Sequence, residues 1–160
     1  FKILKFEFMP EFDTTQIYIT GSVGVGHSTK DTENVVKQLE NKLLSNFKLG
    51  NEIDSISSII GMKLNGKQIA QFEEFYFHIF VNLKERYPVN LFDKYINPIL
   101  SPEYDNTNMT RIQSARDIAN KITLLLKNDM KSNLYQELNV VVPGAGIVKN
   151  DIEIALSSTN

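Results

Sequence analysis

FMPEFDTTQIYITGSVGVGHSTKDTENVVKQLENKLL, residues 8 to 44, is the stretch from which the fold is read. From Gln16 to Val23 the residues alternate, with Ile17 and Ile19 on one side and Tyr18 and Thr20 on the other, which predicts a central strand. Gly21, Gly24 and Gly26 then follow within six residues and let the chain turn sharply. Ser28 stands where a helix N-cap is needed, and Asp31 three residues later can complete a capping box. Asp31 and Glu33 add negative charge to the first turn, where the helix dipole favours it. Val35, Val36, Leu39, Leu43 and Phe47 recur at helical spacing, opposite Lys37, Glu40 and Lys42. The segment predicts strand, tight turn and a helix from Ser28 to Asn46, stopped at Leu49-Gly50-Asn51 with Gly50 as its left-handed cap.

Gly21 to Ser28 matches the frame of a phosphate-binding loop except at His27, where that loop carries a lysine. A mostly neutral imidazole cannot supply the fixed cation that holds the β- and γ-phosphates. No apolar strand ending in a Mg²⁺-binding Asp accompanies it, so the glycines are read as turn formers rather than as a nucleotide site.

Working outward, Ile53, Ile56, Ile59 and Ile60 predict a second strand of imperfect alternation, ending at Gly61. Gly61 to Gln71 is polar and glycine-containing and reads as a loop between two strands. Phe75, Phe77, Ile79, Val81 and Leu83 alternate with Tyr76, His78, Phe80 and Asn82, the clearest two-residue period in the chain. Tyr87 to Asn108 contains Pro88, Pro98 and Pro102 and reads as a long excursion with a short helical turn around Leu91 to Tyr95. Thr110 and Gln113 have capping-box spacing, ahead of a stripe of Ile112, Ala115, Ile118, Ala119, Ile122, Leu125 and Leu126 that predicts a second helix to about Asn128. Leu138 to Val142 is a strand stopped by Pro143-Gly144, and Asp151 to Leu156 alternates as a last one. Two helix stripes must be buried and crossovers must be right-handed. The simplest solution is an α+β, ferredoxin-like β-α-β-β-α-β sandwich: two helices on one face of a four-stranded antiparallel sheet, plus a trailing strand.

A chain of 160 residues, 42% hydrophobic and 22% charged, has the length for one ordinary core. Its net charge of -2 offers no global basic field for nucleic acid or an anionic membrane. Without cysteine there is no disulfide, thiolate nucleophile or zinc-thiolate site. No run approaches the roughly 18 to 20 apolar residues that span a bilayer. The start at Phe1 and the Ser-Ser-Thr-Asn end read as a piece of a longer protein, with Phe1 to Phe8 either a short strand or a juxtamembrane remnant.

Candidate chemistry is sparse. His27 and His78 stand without metal-ligand spacing, and Glu73-Glu74, Glu103 and Asp105 read as solvated charges. Ser57-Ser58 and Ser157-Ser158 lack the surroundings of a nucleophile. Aromatics at 75, 76, 77 and 80 could stack on bases, but the RNA-recognition pattern is missing and the charge is negative, so core packing explains them better. Met9, Met62, Met109 and Met130 fall in separate elements, which argues against a soft-metal site. The expectation is no enzyme, no cofactor, no metal and no nucleic acid.

Phe8-Met9-Pro10-Glu11-Phe12-Asp13, the strand and small-residue turn ending at Gly26, Ser28-Thr29, and a helix with Leu39-Glu40 together resemble the start of a periplasmic porter segment in resistance-nodulation-division (RND) efflux transporters of the acriflavine-resistance type. The likeness continues at Ile53 to Gly61, at Phe80-Val81-Asn82-Leu83-Lys84, and at Gly146 to Ile154. It implies a multidrug or hydrophobic-compound efflux pump driven by proton antiport. The parent would be a homotrimer in a bacterial inner membrane, joined to a periplasmic adaptor and an outer-membrane channel and moving an amphiphilic small-molecule substrate. By the same likeness residues 1–13 are a juxtamembrane lead-in and 14–148 the third porter subdomain, with a long excursion at 85–110. Residues 149–160 would begin the next subdomain. Gly61, Met62, Lys63, Leu64, Asn65 and Gly66 take the place of the family's switch loop, and Thr20, Met62, Leu64, Ile152 and Ile154 line the substrate cleft. The family's loop is richer in Gly and Phe, and where other members often carry a Met this chain has Thr20, which favours drug-like or lipid-like substrates over metal ions. A free-standing ferredoxin-like binding or oligomerisation module is the alternative.

Overall fold

A computed structural model describes residues 13–65, 69–88, 94–100 and 109–144. Strand β1 (Gln16–Val23) leads through a turn at Gly26, whose φ of 95° suits only glycine comfortably, into helix α1 (Thr29–Asn46). Strands β2 (Ile53–Leu64) and β3 (Ala70–Leu83) form a long hairpin. Helix α2 (Ala115–Leu125) and strand β4 (Tyr135–Val141) complete the unit. The sheet order is β2-β3-β1-β4, every neighbouring pair antiparallel. Each strand-helix-strand unit therefore encloses another strand, which is the ferredoxin-like arrangement expected from sequence. Strand β1 pairs with β3 over Gln16↔Asn82 to Ser22↔Tyr76.

The core lies between the sheet and the two helices. Ile17, Ile19, Phe77, Ile79, Val81 and Leu138 supply one side, and Val36, Leu39, Leu43, Ile118, Ile122 and Leu126 the other. Both long helices start on a capping box: Ser28 with Asp31, and Ser114 with Asp117. Gly21 has a different use from the turn glycines. It sits within β1, and a Cβ there would lie 2.2 Å from the Glu137 carbonyl oxygen and 2.9 Å from the Phe77 ring.

Three boundaries differ from the sequence reading. Gly61 to Gln71 is not a simple loop, because β2 continues to Leu64 and β3 already begins at Ala70. A two-stranded ribbon satisfies its backbone by cross-pairing, so it needs no apolar alternation of its own, and Gly61 at φ 85° takes up the irregularity between Ile60 and Met62. The second helix is capped by Ser114 rather than Thr110 and ends at Leu125, with Asp129–Lys131 forming a 3-10 turn. Ile112, read as part of the helix stripe, lies before the helix and is 79% exposed. The last described strand starts at Tyr135, three residues early. Within the excursion Lys94 and Tyr95 are helical, inside the range where a turn was expected, and Asn97–Leu100 form a further helical turn. The lead-in at 1–12, Gly66, and the trailing strand with Ile152 and Ile154 lie outside the described residues.

Candidate functional site

Among the described residues, α1 and α2 pack on the same face of the sheet. The register aligns the side chains of the other face in rows across the strands. One row runs Gln16, Asn82 and Ser55, joined by hydrogen bonds from Gln16 Nε2 to Asn82 Oδ1 (3.0 Å) and from Asn82 Nδ2 to Ser55 Oγ (2.9 Å). The Tyr18 hydroxyl donates to Gln16 Oε1 at 3.1 Å. The next row is Val141, Tyr18, Phe80 and Ser57, and the one after it Asn139, Thr20, His78 and Ile59.

Tyr18, His78 and Phe80 form a three-ring cluster, with centroids 5.0 Å apart for Tyr18 and His78, 4.5 Å for His78 and Phe80, and 5.5 Å for Tyr18 and Phe80. The rings meet tilted or edge-on, the arrangement that aromatic quadrupoles favour. At the centre Thr20 is 5% and His78 1% exposed, and Thr20 Oγ1 and both imidazole nitrogens have no hydrogen-bond partner among the described residues. Burial holds the His78 pKa below its ordinary 6.5, so the ring is neutral near pH 7. An unpartnered buried polar atom costs on the order of 1–3 kcal/mol. Ile59 and Val141 stand partly exposed at the rim.

The distal part of the β2–β3 hairpin reaches this face. Lys63, itself buried, pairs with Glu137 on the far edge strand, and its Nζ lies 4.4 Å from the Tyr76 ring centroid. Lys63 thereby spans β3 and β1 and lies beside Ser22, which is buried. Met62 and Leu64 pair with Phe72 and Ala70 in the same ribbon and, by alternation, point away from the side Lys63 takes.

Of the residues assigned from sequence, Thr20 thus lies, buried, at the centre of the face opposite α1 and α2. Lys63 reaches it through Glu137, while Met62 and Leu64 occupy the arm without meeting Thr20 through their own side of the ribbon. Sequence reasoning gave no role to Tyr18 or Glu137, set His78 aside as no metal ligand and assigned Phe80 to core packing, whereas Phe80 lies with Tyr18 and His78 on the face opposite the core. Their signal was present as the second face of the alternating strands, but the row they form depends on cross-strand register. His27 closes the turn, its Nδ1 2.6 Å from the Gly24 carbonyl oxygen, and takes no part in this face.

A second node was missed altogether. Arg111 is 1% exposed and donates to the carbonyls of Lys84 (2.7 Å), Gln113 (2.7 Å) and Thr14 (3.2 Å), while pairing with Asp13 at 2.9 Å. Asp13 also accepts from the Ala115 amide at 2.8 Å, at the first turn of α2. Asp13, the last residue of the Pro-containing lead-in motif, therefore ties the entry of β1 to the end of β3 and the start of α2.

Among the described residues no group of three His, Asp or Glu side chains could hold a metal, and no helix is long and apolar enough to cross a membrane. No protein-family model matches the chain, and no curated protein sequence matches it.

Proposed function

We propose that this chain is the third porter subdomain of an RND-type efflux transporter, and that the sheet face left uncovered by α1 and α2 lines the path of an amphiphilic or aromatic substrate. The observation that carries the reading is the unpartnered Thr20 and His78 pair, set among Tyr18 and Phe80 with an arm of the β2–β3 hairpin over part of the same face. Rings supply an apolar, shape-tolerant surface, and the hydroxyl and neutral imidazole offer hydrogen bonds to whatever lies against them. Thr20 Oγ1 and the His78 imidazole are not hydrogen-bonded to each other, so the hydroxyl is not engaged by a base. The face suits passage and recognition rather than reaction.

The lead-in ending at Asp13, the order of elements and the place of Thr20 support the reading together. In it the arm holding Gly61 to Asn65 acts as the switch element, with Met62 and Leu64 facing the neighbouring subdomain, and the parent is a homotrimer that engages a periplasmic adaptor and an outer-membrane channel. The test is export by the parent protein carrying Tyr18→Ala or Phe80→Ala. The reading expects loss of dye efflux at unchanged expression, and parental efflux by both variants would refute it. The uncovered face, with Ile59 and Val141 exposed at its rim, also supports the second reading, a ferredoxin-like module that self-associates. A short reading frame without flanking apolar spans, together with a concentration-dependent dimer lost on Val141→Asp, would favour that reading.

A further inference from the structure

On the sheet face opposite α1 and α2, cross-strand register lays two unlike rows side by side. The outer row, Gln16, Asn82 and Ser55, is amide and hydroxyl, and the inner one carries the rings of Tyr18 and Phe80. Side chains on one face of a strand recur every second residue, so the rows stand about 6.6 Å apart. All five of these residues are half-buried, held by their neighbours yet in reach of solvent.

The hydrogen bonds within the polar row do not exhaust it. Gln16 Nε2 gives one hydrogen to Asn82 Oδ1, and Asn82 Nδ2 gives one to Ser55 Oγ. Each amide nitrogen carries a second hydrogen, the Ser55 hydroxyl keeps its own, and the Tyr18 oxygen, which donates to Gln16 Oε1, can still accept. Uncharged donors and acceptors therefore stand in line beside an apolar ring surface. The charged side chains nearby are already matched: Lys63 pairs with Glu137, and Lys84, just beyond the end of β3, pairs with Asp54. A charged headgroup would lose water here without gaining a free counter-ion, which is costly. An uncharged headgroup with several hydroxyls meets partners for both of its hydrogen-bonding roles, and its C–H surface can lie on the rings.

We propose that this face recognises a neutral sugar headgroup, a hexose carried on an amphiphile, with the sugar ring against Tyr18 and Phe80 and its hydroxyls on Gln16 and Asn82. One hexose bridges the step between the two rows. The assignment names the substrate class of the face proposed above for passage and rests on that reading.

Calorimetric titration of the full 160-residue chain with decyl glucoside, and with an oligo(ethylene glycol) ether of the same decyl tail, tests it, both below their critical micelle concentrations. The expected result is saturable binding of the glucoside about tenfold tighter than the ether, as one or two net hydrogen bonds supply. Gln16→Leu with Asn82→Leu replaces both partners of the central bond by apolar groups of similar size, which should leave the melting transition in place. The glucoside should then fall to the affinity of the ether, with the ether unchanged, whereas Tyr18→Ala should weaken both. Equal affinity of the native chain for the two overturns the sugar assignment without any variant and leaves the rings as the passage contact. A glucoside preference that survives the double substitution places the sugar elsewhere and overturns it as well. So does binding of neither amphiphile, and parental dye efflux by Tyr18→Ala and Phe80→Ala would then remove the passage reading separately.

Discussion

Arg111 is the residue on which the base of the domain depends. Its guanidinium satisfies three backbone carbonyls and Asp13 from a nearly water-free position. Removing one partner of a buried charged pair leaves the other uncompensated, at about 3–5 kcal/mol. Arg111→Met should therefore lower the urea midpoint sharply, at a cost in that range, and a variant within about 1 kcal/mol of the parent would show the node to be incidental. His78 makes a pH-dependent contribution whose sign follows from its lowered pKa. The unfolded chain takes up a proton as pH falls through about 6.5, while the buried ring resists until lower pH, so stability declines across that window and levels off below the folded pKa. Thermal melts from about pH 7.5 to 5 should show this loss, and His78→Phe should flatten it; an unchanged slope would place the titration elsewhere. At the alkaline end burial pushes Tyr135 up to about 12, so its contribution is lost as pH rises from 10 towards that value.

At the scale of elements, most of the architecture was legible because the patterns were local. The boundaries of β1 and the Ser28–Asp31 cap of α1 follow from two-residue alternation and one capping box. The second cap was read at Thr110 from its spacing to Gln113, but Ser114 takes it, with an Asp at the third position whose carboxylate accepts from its hydroxyl and amide. Strand pairing beyond Gly61 was illegible, since a ribbon held by backbone bonds carries no apolar period. The face itself, from Tyr18 to Phe80, was half visible: alternation named its members, but register alone placed Thr20 beside His78. The arm over it makes its own prediction. Glu137→Gln removes the charge that holds Lys63, a partly exposed pair of about 1 kcal/mol, so amide exchange at Met62 and Leu64 should accelerate about fivefold. Exchange unchanged within error would show that strand pairing alone holds the arm.

One sheet separates two environments among the described residues: a core under the helices and a partly polar aromatic face that neither α1 nor α2 covers. If the uncovered face carries substrate, its chemistry must be reachable in the parent while the outer surface of α1 is irrelevant to passage. The chain contains no cysteine, which allows a single thiol to be placed on either side. Ser57 is exposed beside Phe80 on the uncovered face, and Glu33 is exposed on α1. The most direct measurement is thiol modification of Ser57→Cys and Glu33→Cys in the parent protein, with and without a transported dye. The account predicts that modification at Ser57→Cys blocks efflux and is slowed by the dye, while Glu33→Cys is modified at the same rate in both conditions with efflux intact. Efflux that survives full modification of Ser57→Cys, with no protection by dye, would contradict it.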